Sequence, residues 1–481
     1  MKKIGVIGFG VVGKSVVDTL LVYQDALQLF LKISDQLMLF VWDQQQIALE
    51  VQKKYELLGV CFVSGASDLA HFIDGVDYVI ASPGVDMRKY SSMSNKFIEE
   101  VDLFSALFKK TIVAITGSLG KTSVTKLIVQ LIELSQLTQE VFADRIVSMA
   151  AGNIGNAMLS LLDQGDVNCA VLELSSFQLD RAQTFAPHIA VMTNIYENHL
   201  DRHGSLQAYA QAKGRMFEYQ RSCDIAIVHE QCLVNEEIIK LLNNSEARLI
   251  IVAPSLASTA FGLNKKNLEV ICVEEGMLVA AIFQDGVLKE KKILAECRRD
   301  ELLAVTFIDN WLLAVSVLYA MKLNVLQVLA SVYASQEFAI EEHCYRVEKF
   351  LSVGDVDFYD DSKSTVLQAT LAAVHKLAVL SRPIILILGG KSKGVDRSGL
   401  MSALNNFPKL KKVYCFGAEC ALFEGCHAFS TLEEVMDDLL TLALPGDIVL
   451  FSPSGASFDF FKNYQHRGDV FKALARKLFQ K

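Results

Sequence analysis

Thr116-Gly117-Ser118-Leu119-Gly120-Lys121-Thr122 sets two glycines, an ammonium and three hydroxyls where an apolar run, Thr111 to Thr116, gives way to a helical pattern. That order suits a phosphate loop. Its backbone N–H groups wrap phosphate oxygens, Lys121 neutralises β/γ charge and Thr122 binds Mg²⁺. Ile115 stands where the strict form of the loop has its first glycine. After the next apolar run comes Glu173-Leu174-Ser175-Ser176-Phe177-Gln178. A carboxylate at a strand's C-terminal end can bind Mg²⁺ that keeps several waters. A further run leads to Asn194 and to the polar knot Glu197-Asn198-His199-Leu200-Asp201, where His199 is a candidate ligand for a second ion. Lys213, by residue type and surroundings alone, reads as a solvated helix lysine.

Three more segments carry chemistry in the last third of the chain. Asp360-Asp361-Ser362-Lys363-Ser364-Thr365 follows the run Val356 to Tyr359, and Gly389-Gly390-Lys391-Ser392-Lys393 follows Pro383 to Leu388. Lysines placed where strands give way to loops can face a shared cleft and neutralise carboxylate or developing phosphate charge. The segment from Ser452 to Tyr464 places serines between a strand end and a helix start, where they can hold a carboxylate. At the other end, Gly8-Phe9-Gly10-Val11-Val12-Gly13 follows a strand and opens a helix, so a diphosphate can approach the helix N-terminus. A nicotinamide site would place an acidic residue about 20 positions later. Asp43, at the end of the second apparent strand, lies 30 past Gly13. Ser82-Pro83-Gly84 marks a second loop at the same sheet edge.

The elements that must position these segments are short apolar runs alternating with helical patterns, which predicts an α/β protein of parallel sheets and crossover helices. The runs are Lys3 to Ile7, Tyr78 to Ala81, Thr111 to Thr116, Ala170 to Glu173, Ala190 to Asn194, Ile225 to His229, Pro383 to Leu388, Lys412 to Phe416 and Asp447 to Phe451. From about Ile250 to Lys292, strand-like pieces alternate with turn residues and predict an antiparallel addition to the central sheet. A length of 481 residues suits about three domains. Breaks near Phe108 and Glu341 divide the chain into 1–108, 109–341 and 342–481.

Composition narrows the function. Apolar residues at 52% exclude intrinsic disorder, and a net charge of -9 argues against an electrostatic grip on nucleic acid or anionic lipid. No apolar run reaches the roughly 18 to 20 residues of a membrane span, so no membrane insertion is expected. The ten cysteines form no CxxC pair, which fits a reduced cytoplasm, and Cys415, Cys420 and Cys426 read as ordinary buried thiols.

Taken in order, the Thr-Gly-x-x-Gly-Lys-Thr loop, Gly152-Asn153-Ile154-Gly155, Leu172 to Leu179, Asp361-Ser362-Lys363 and the segment from Ser452 to Gly468 resemble the Mur ligase family, in its D-glutamate-adding branch. The likeness spans nearly the whole chain. It implies three domains: an N-terminal Rossmann-like domain, a central P-loop mononucleotide-binding sheet and a C-terminal Rossmann-like domain. The implied activity is ATP- and Mg²⁺-dependent addition of D-glutamate to UDP-N-acetylmuramoyl-L-alanine through an acyl phosphate, by a cytoplasmic monomer. The resemblance assigns the ATP phosphates and metal to Gly117, Ser118, Gly120, Lys121 and Thr122. It gives Glu173 to the first metal, His199 to the second, and to Lys213 a carbamylated, metal-bridging role. Asn310, Arg346 and Asp361 are implied nucleotide contacts, with Lys363 at the phosphate end. Thr365, Lys393, Ser457 and Phe458 are implied to grip D-glutamate beside Tyr464. Gly10, Val11, Val12, Ser15, Asp43, Ser82, Pro83 and Gly84 fall to the uridine diphosphate, and Asn153, Ser175 and Gln178 to the sugar and alanine.

Some positions depart from the family pattern: Leu119 in the phosphate loop, Asn198 before His199, Thr306-Phe307 ahead of Asn310, Tyr345 before Arg346 and Val366 after Thr365. Those departures motivate a competing expectation, a catalytically impaired nucleotide-sugar binding protein of the same family. A nicotinamide oxidoreductase is a third, resting on the N-terminal glycines alone.

Overall fold

Strand-forming sequence closes into three separate sheets in this computed structural model, which describes residues 1–63, 68–137, 145–256, 262–335, 338–339, 344–392, 396–397, 399–405 and 407–479. The first sheet contains β1 (Lys2–Ile7), β2 (Leu37–Trp42), β3 (Val60–Val63) and β4 (Tyr78–Ala81), all parallel, in the order β3-β2-β1-β4. Ile7, Trp42, Phe72, Ile73 and Val76 form part of its buried core.

The second sheet has nine strands: β5 (Thr111–Thr116), β6 (Ser148–Gly152), β7 (Cys169–Glu173), β8 (Ile189–Met192), β9 (Ile225–His229), β10 (Arg248–Val252), β11 (Asn267–Glu274), β12 (Met277–Gln284) and β13 (Val287–Glu296). Their order is β13-β12-β11-β10-β9-β8-β5-β7-β6. β5 is therefore the switch point of an open α/β sheet, with β7 on one side and β8 on the other, where such sheets bind ligands beyond their C-terminal ends. The antiparallel addition is present but starts later than the sequence suggested. β10 and β11 pair in parallel, and direction reverses only from β11 to β12 and from β12 to β13. The helices Lys121–Leu137 and Ile308–Ala320 pack on each other, burying Ile128 and Leu131 of the first and Trp311 and Leu318 of the second.

The third sheet contains β14 (Glu348–Val353), β15 (Val356–Asp360), β16 (Ile384–Gly389), β17 (Leu410–Phe416), β18 (His427–Phe429) and β19 (Ile448–Phe451), ordered β14-β15-β19-β16-β17-β18. Five strands run parallel and β14 is an antiparallel edge. β15, β19 and β16 are neighbours, so the loops after all three emerge side by side.

The chain forms two compact units. The first, Met1–Ile195 with Ala210–Phe338, holds the first two sheets; the second, Tyr196–Tyr209 with Ala339–Lys481, holds the third. Within the first unit, Asp102 accepts hydrogen bonds from the Gln183 and Thr184 amides, and Glu99 pairs with Arg181 at 2.6 Å, tying the helix Glu100–Leu107 to the second sheet's connections. The expected break at residue 341 lies outside the described residues.

Candidate active site

The phosphate loop forms as its residue types dictate. Gly117 and Gly120 take φ values of +145° and +81°, which only glycine adopts readily, and the helix begins at Lys121. The loop is pinned by the residues that follow β8. Ser118 N donates to Asn194 O at 3.0 Å, Leu119 N to Asn194 Oδ1 at 2.8 Å, and Thr193 Oγ1 to Leu119 O at 2.6 Å. Leu119 thus joins the loop through its backbone, and the family's usual polar side chain is not needed for that role. Lys121 Nζ donates to Gly117 O at 2.8 Å and to Ser118 O at 3.1 Å, holding the ammonium over the loop. Asn310 Oδ1 would stand 2.9 Å from a Cβ built on Gly120, so the helix Ile308–Ala320 brings this nucleotide candidate to the loop. Thr306 Oγ1 orients it by accepting from Asn310 Nδ2 at 2.8 Å.

Glu173 and Lys213 complete this group. Glu173, at the end of β7, is 2% exposed; its Oε1 accepts from Asn153 Nδ2 at 2.8 Å, while its buried Oε2 has no hydrogen-bond partner. Lys213 is also buried, contrary to the solvated reading, because the helix Leu206–Glu218 turns that face toward β5. Its Nζ donates to Thr116 Oγ1 at 3.1 Å. Burial, and then the charge of Lys121, pull its amine well below the ordinary lysine range. Ser175 and Gln178 form a capping box on a four-residue helix: Ser175 Oγ donates to Gln178 Oε1 at 2.9 Å and accepts from Gln178 N.

A hard divalent cation fits these residues. An oxygen left without a partner in a buried carboxylate costs free energy unless a cation or donor meets it, and Glu173 Oε2 lies in the same unit as the buried Thr122 hydroxyl of the loop. Among the described residues no three His, Cys, Asp or Glu side chains converge. Mg²⁺ uses one or two carboxylates, with waters and phosphates filling the rest of its shell. His199 belongs to the second unit, where it takes a left-handed φ of +54° and its N–H donates to Asn198 Oδ1 at 3.0 Å.

The glycine turn after β1 is built for close approach. A Cβ on Gly13 would collide with the Gly8 carbonyl, so the helix Val11–Val22 can sit this near β1 only with glycine there. Asp43 shapes the turn, accepting from Phe9 N at 2.5 Å and from Gln45 N at 2.8 Å. Ser82 Oγ donates to Gly8 O at 3.2 Å, joining the two loops that the sequence placed at one edge. Gly10, Val11, Val12, Ser15, Pro83 and Gly84 lie on these loops or the first helix turn, and Val11 is 75% exposed.

In the second unit, Asp361 follows β15 and is buried. Burial raises its carboxyl to about 7 against the opposing effects of Ser452 and Arg346, and Ser452 Oγ donates to Asp361 Oδ2 at 2.6 Å. Arg346 Nε is buried without a hydrogen-bond partner. Lys363 Nζ lies 5.3 Å from the centre of the Tyr464 ring, which meets Tyr345 edge-on. Thr365 is half-buried and Ser457 buried, whereas Phe458 is 61% exposed. Lys393 lies outside the described residues.

The family model for the Mur ligase middle domain matches residues 115–314. The UDP-N-acetylmuramoylalanine–D-glutamate ligase of Koribacter versatilis is 32% identical over 418 residues, covering 84% of this chain and 83% of the relative. The enzyme of the same name from Geotalea uraniireducens is 32% identical over 416 residues, covering 84% and 83%. The chain belongs to the Mur ligase family. At the level of fold, it is similar to the MurF ligase from Thermotoga maritima in complex with ADP, with TM-score 0.52, 16% identity, and coverage of 85% of this chain and 92% of that one.

Three residues escaped the sequence reading of this Mur ligase. Asn194 was visible only as a strand end, yet it holds both sides of Leu119: its Oδ1 accepts from Leu119 N and its Nδ2 donates to Leu119 O. Arg397 and Arg467 are buried at 2% and 0% exposure, and nothing in their local sequence marks an arginine as buried. The one signal for Arg467 was its place inside the segment from Ser452 to Gly468, which carries the family likeness.

Proposed function

We propose that this protein is the ATP-dependent ligase that joins D-glutamate to UDP-N-acetylmuramoyl-L-alanine in peptidoglycan precursor synthesis. The observation that carries the reading is the meeting, at one switch point, of a phosphate loop, a buried carboxylate with an unpartnered oxygen and a buried lysine. The names of relatives matched over most of the chain supply the substrates. The three-way division at 1–108, 109–341 and 342–481 belongs to the same reading, with the sugar nucleotide, ATP and amino acid each assigned to one part. No described helix is long and apolar enough to cross a membrane. Free cysteines throughout and an ATP substrate support a cytoplasmic location, and a monomer belongs to the same reading.

A carboxylate resists amine attack until one oxygen becomes phosphate. The alanyl carboxylate oxygen attacks the γ-phosphorus of ATP, ADP leaves, and the neutral amine of D-glutamate adds to the acyl carbon before phosphate departs. Positioning and charge neutralisation supply most of the acceleration in such transfers. Lys121 neutralises the β/γ oxygens, and the backbone N–H groups of Gly117, Ser118 and Gly120 orient them. Thr122 and Glu173 hold Mg²⁺, which neutralises phosphate charge when bound. Burial pulls the amine of Lys213 below the ordinary lysine range, and in this reading that amine adds CO₂ and releases a proton, giving the carbamate that the family resemblance implies. Gly10, Val11, Val12, Ser15, Ser82, Pro83 and Gly84 approach the uridine diphosphate around the turn that Asp43 shapes, while Asn153, Ser175 and Gln178 serve the sugar and alanine. Asn310, Arg346 and Asp361 contact nucleotide, Lys363 acts at the phosphate end, His199 would hold the second metal, and Thr365, Lys393, Ser457, Phe458 and Tyr464 form the amino-acid site.

Purified protein is expected to release ADP and phosphate only when UDP-N-acetylmuramoyl-L-alanine, D-glutamate and Mg²⁺ are all present. Release that is indifferent to D-glutamate would reject the reading.

A further inference from the structure

Two arginines lie beneath the loops at the C-terminal edge of the third sheet, and each joins a different pair. Arg467 is 0% exposed; its Nη2 donates to Ser362 O at 2.7 Å, its Nε to Ser362 Oγ at 3.1 Å and its Nη1 to Gly455 O at 2.8 Å. It thus ties the loop after β15, which carries Asp361 and Lys363, to the loop after β19, which carries Ser457. Arg397 is 2% exposed, and its Nη1 donates to Gly389 O and Ser454 O, both at 3.1 Å, while its Nη2 donates to Gly390 O at 2.9 Å. It joins the loops after β16 and β19, and these bonds include none to the β15 loop. Glu419 pairs with Arg397 and also accepts from Ser392 N at 2.9 Å, so it holds the β16 loop twice over.

A guanidinium is retained in a dry interior when its fixed fork meets acceptors that match it. Here five of the seven acceptors are backbone carbonyls, four of them in loops, whose positions a floppy loop would not keep. Space is tight as well, since a Cβ on Gly455 would stand 2.5 Å from Arg397 Nη1. The β16 and β19 loops are further zipped by Lys391 N to Ala456 O at 2.9 Å and Ala456 N to Lys391 O at 2.8 Å.

We propose that Arg397 and Arg467 are positioning residues with separable roles: Arg397 fixes the two loops that receive the incoming acidic amino acid, and Arg467 couples those loops to the nucleotide-side loop. The inference rests on the ligase reading for its substrates but not for its geometry. Replacing a multiply bonded guanidinium by an ammonium keeps the charge and loses the fork.

The test measures KM for ATP and for D-glutamate in three variants of the full chain, with melting temperature recorded alongside. Arg397→Lys is expected to raise KM for D-glutamate about tenfold and leave KM for ATP within about twofold, as loss of charged hydrogen bonds predicts. Arg467→Lys is expected to raise both. Glu419→Gln, at a partly exposed position that leaves the folded core intact, is expected to raise only the D-glutamate KM, by a few-fold. Lowered melting temperatures with both KM values unchanged, or both values raised in Arg397→Lys, would overturn the assignment. An inactive wild type would instead refute the ligase reading. In that event hydrogen exchange decides the clasp: faster exchange at the Lys391 and Ala456 amides in Glu419→Gln supports it, and unchanged exchange overturns it.

Discussion

The phosphate loop and the C-terminal loops both place charged groups at the end of a parallel sheet, but they hold those groups in different ways. In the phosphate loop the charged side chain is held locally, although Asn194 and Thr193 pin the loop backbone from 75 and 74 residues away. Lys121 bonds carbonyls only three and four residues back, and the backbone is bent by glycines within the same seven residues. Around Asp361 the constraint is distant. Ser452 reaches Asp361 across 91 residues, Arg467 reaches Ser362 across 105, and Arg397 reaches Ser454 across 57. A local device can lose its functional side chain and keep its shape, whereas a distributed one loses shape when any member goes.

The sharpest way to break that contrast is at Lys121. Lys121→Ala is expected to lower kcat by on the order of 10³-fold, as loss of one preorganised charge at a developing oxyanion does, with melting temperature little changed because the side chain is half-buried and bonds carbonyls of its own loop. Measured turnover near the wild-type value would remove the loop from the chemistry. A large loss of stability would make it a distributed device like the other.

A smaller effect sharpens the opposite side. Asp361 titrates near 7 because of burial, while an unfolded aspartate titrates near 4. Between those values the unfolded chain has released a proton that the folded one keeps, so this group's contribution to stability falls as pH rises from about 4 to about 7. Asp361→Asn removes that dependence. Denaturant unfolding of the variant, compared with wild type at pH 4.5 and pH 7.5, is expected to shift in the variant's favour at the higher pH. A difference that does not move with pH would contradict the buried placement.

The same contrast explains what could be read from the sequence. The phosphate loop, the Gly8 to Gly13 turn and most strands of the parallel sheets were legible because each signal lies within a few residues. β6 escaped because Ser148-Met149-Ala150-Ala151-Gly152 has little β-branched or aromatic character, and its pairing with β7 stabilises it instead. The β10–β11 pairing was misread as part of the antiparallel addition because strand direction depends on the connection and not on composition. Lys213 was misread because its burial depends on how the helix Leu206–Glu218 docks, and only the family likeness singled it out. Arg397 and Arg467 left no local trace, since their partners come from loops that the sheet order brings together.

Transfer of an isotope label tests the acyl-phosphate chemistry directly. UDP-N-acetylmuramoyl-L-alanine carrying ¹⁸O in its alanyl carboxylate would be turned over with ATP, Mg²⁺ and D-glutamate, and the released phosphate analysed by mass. One ¹⁸O atom in each phosphate formed from a fully labelled carboxylate is the predicted result, whereas phosphate without label, with all ¹⁸O kept in the amide product or the recovered substrate, would contradict the account.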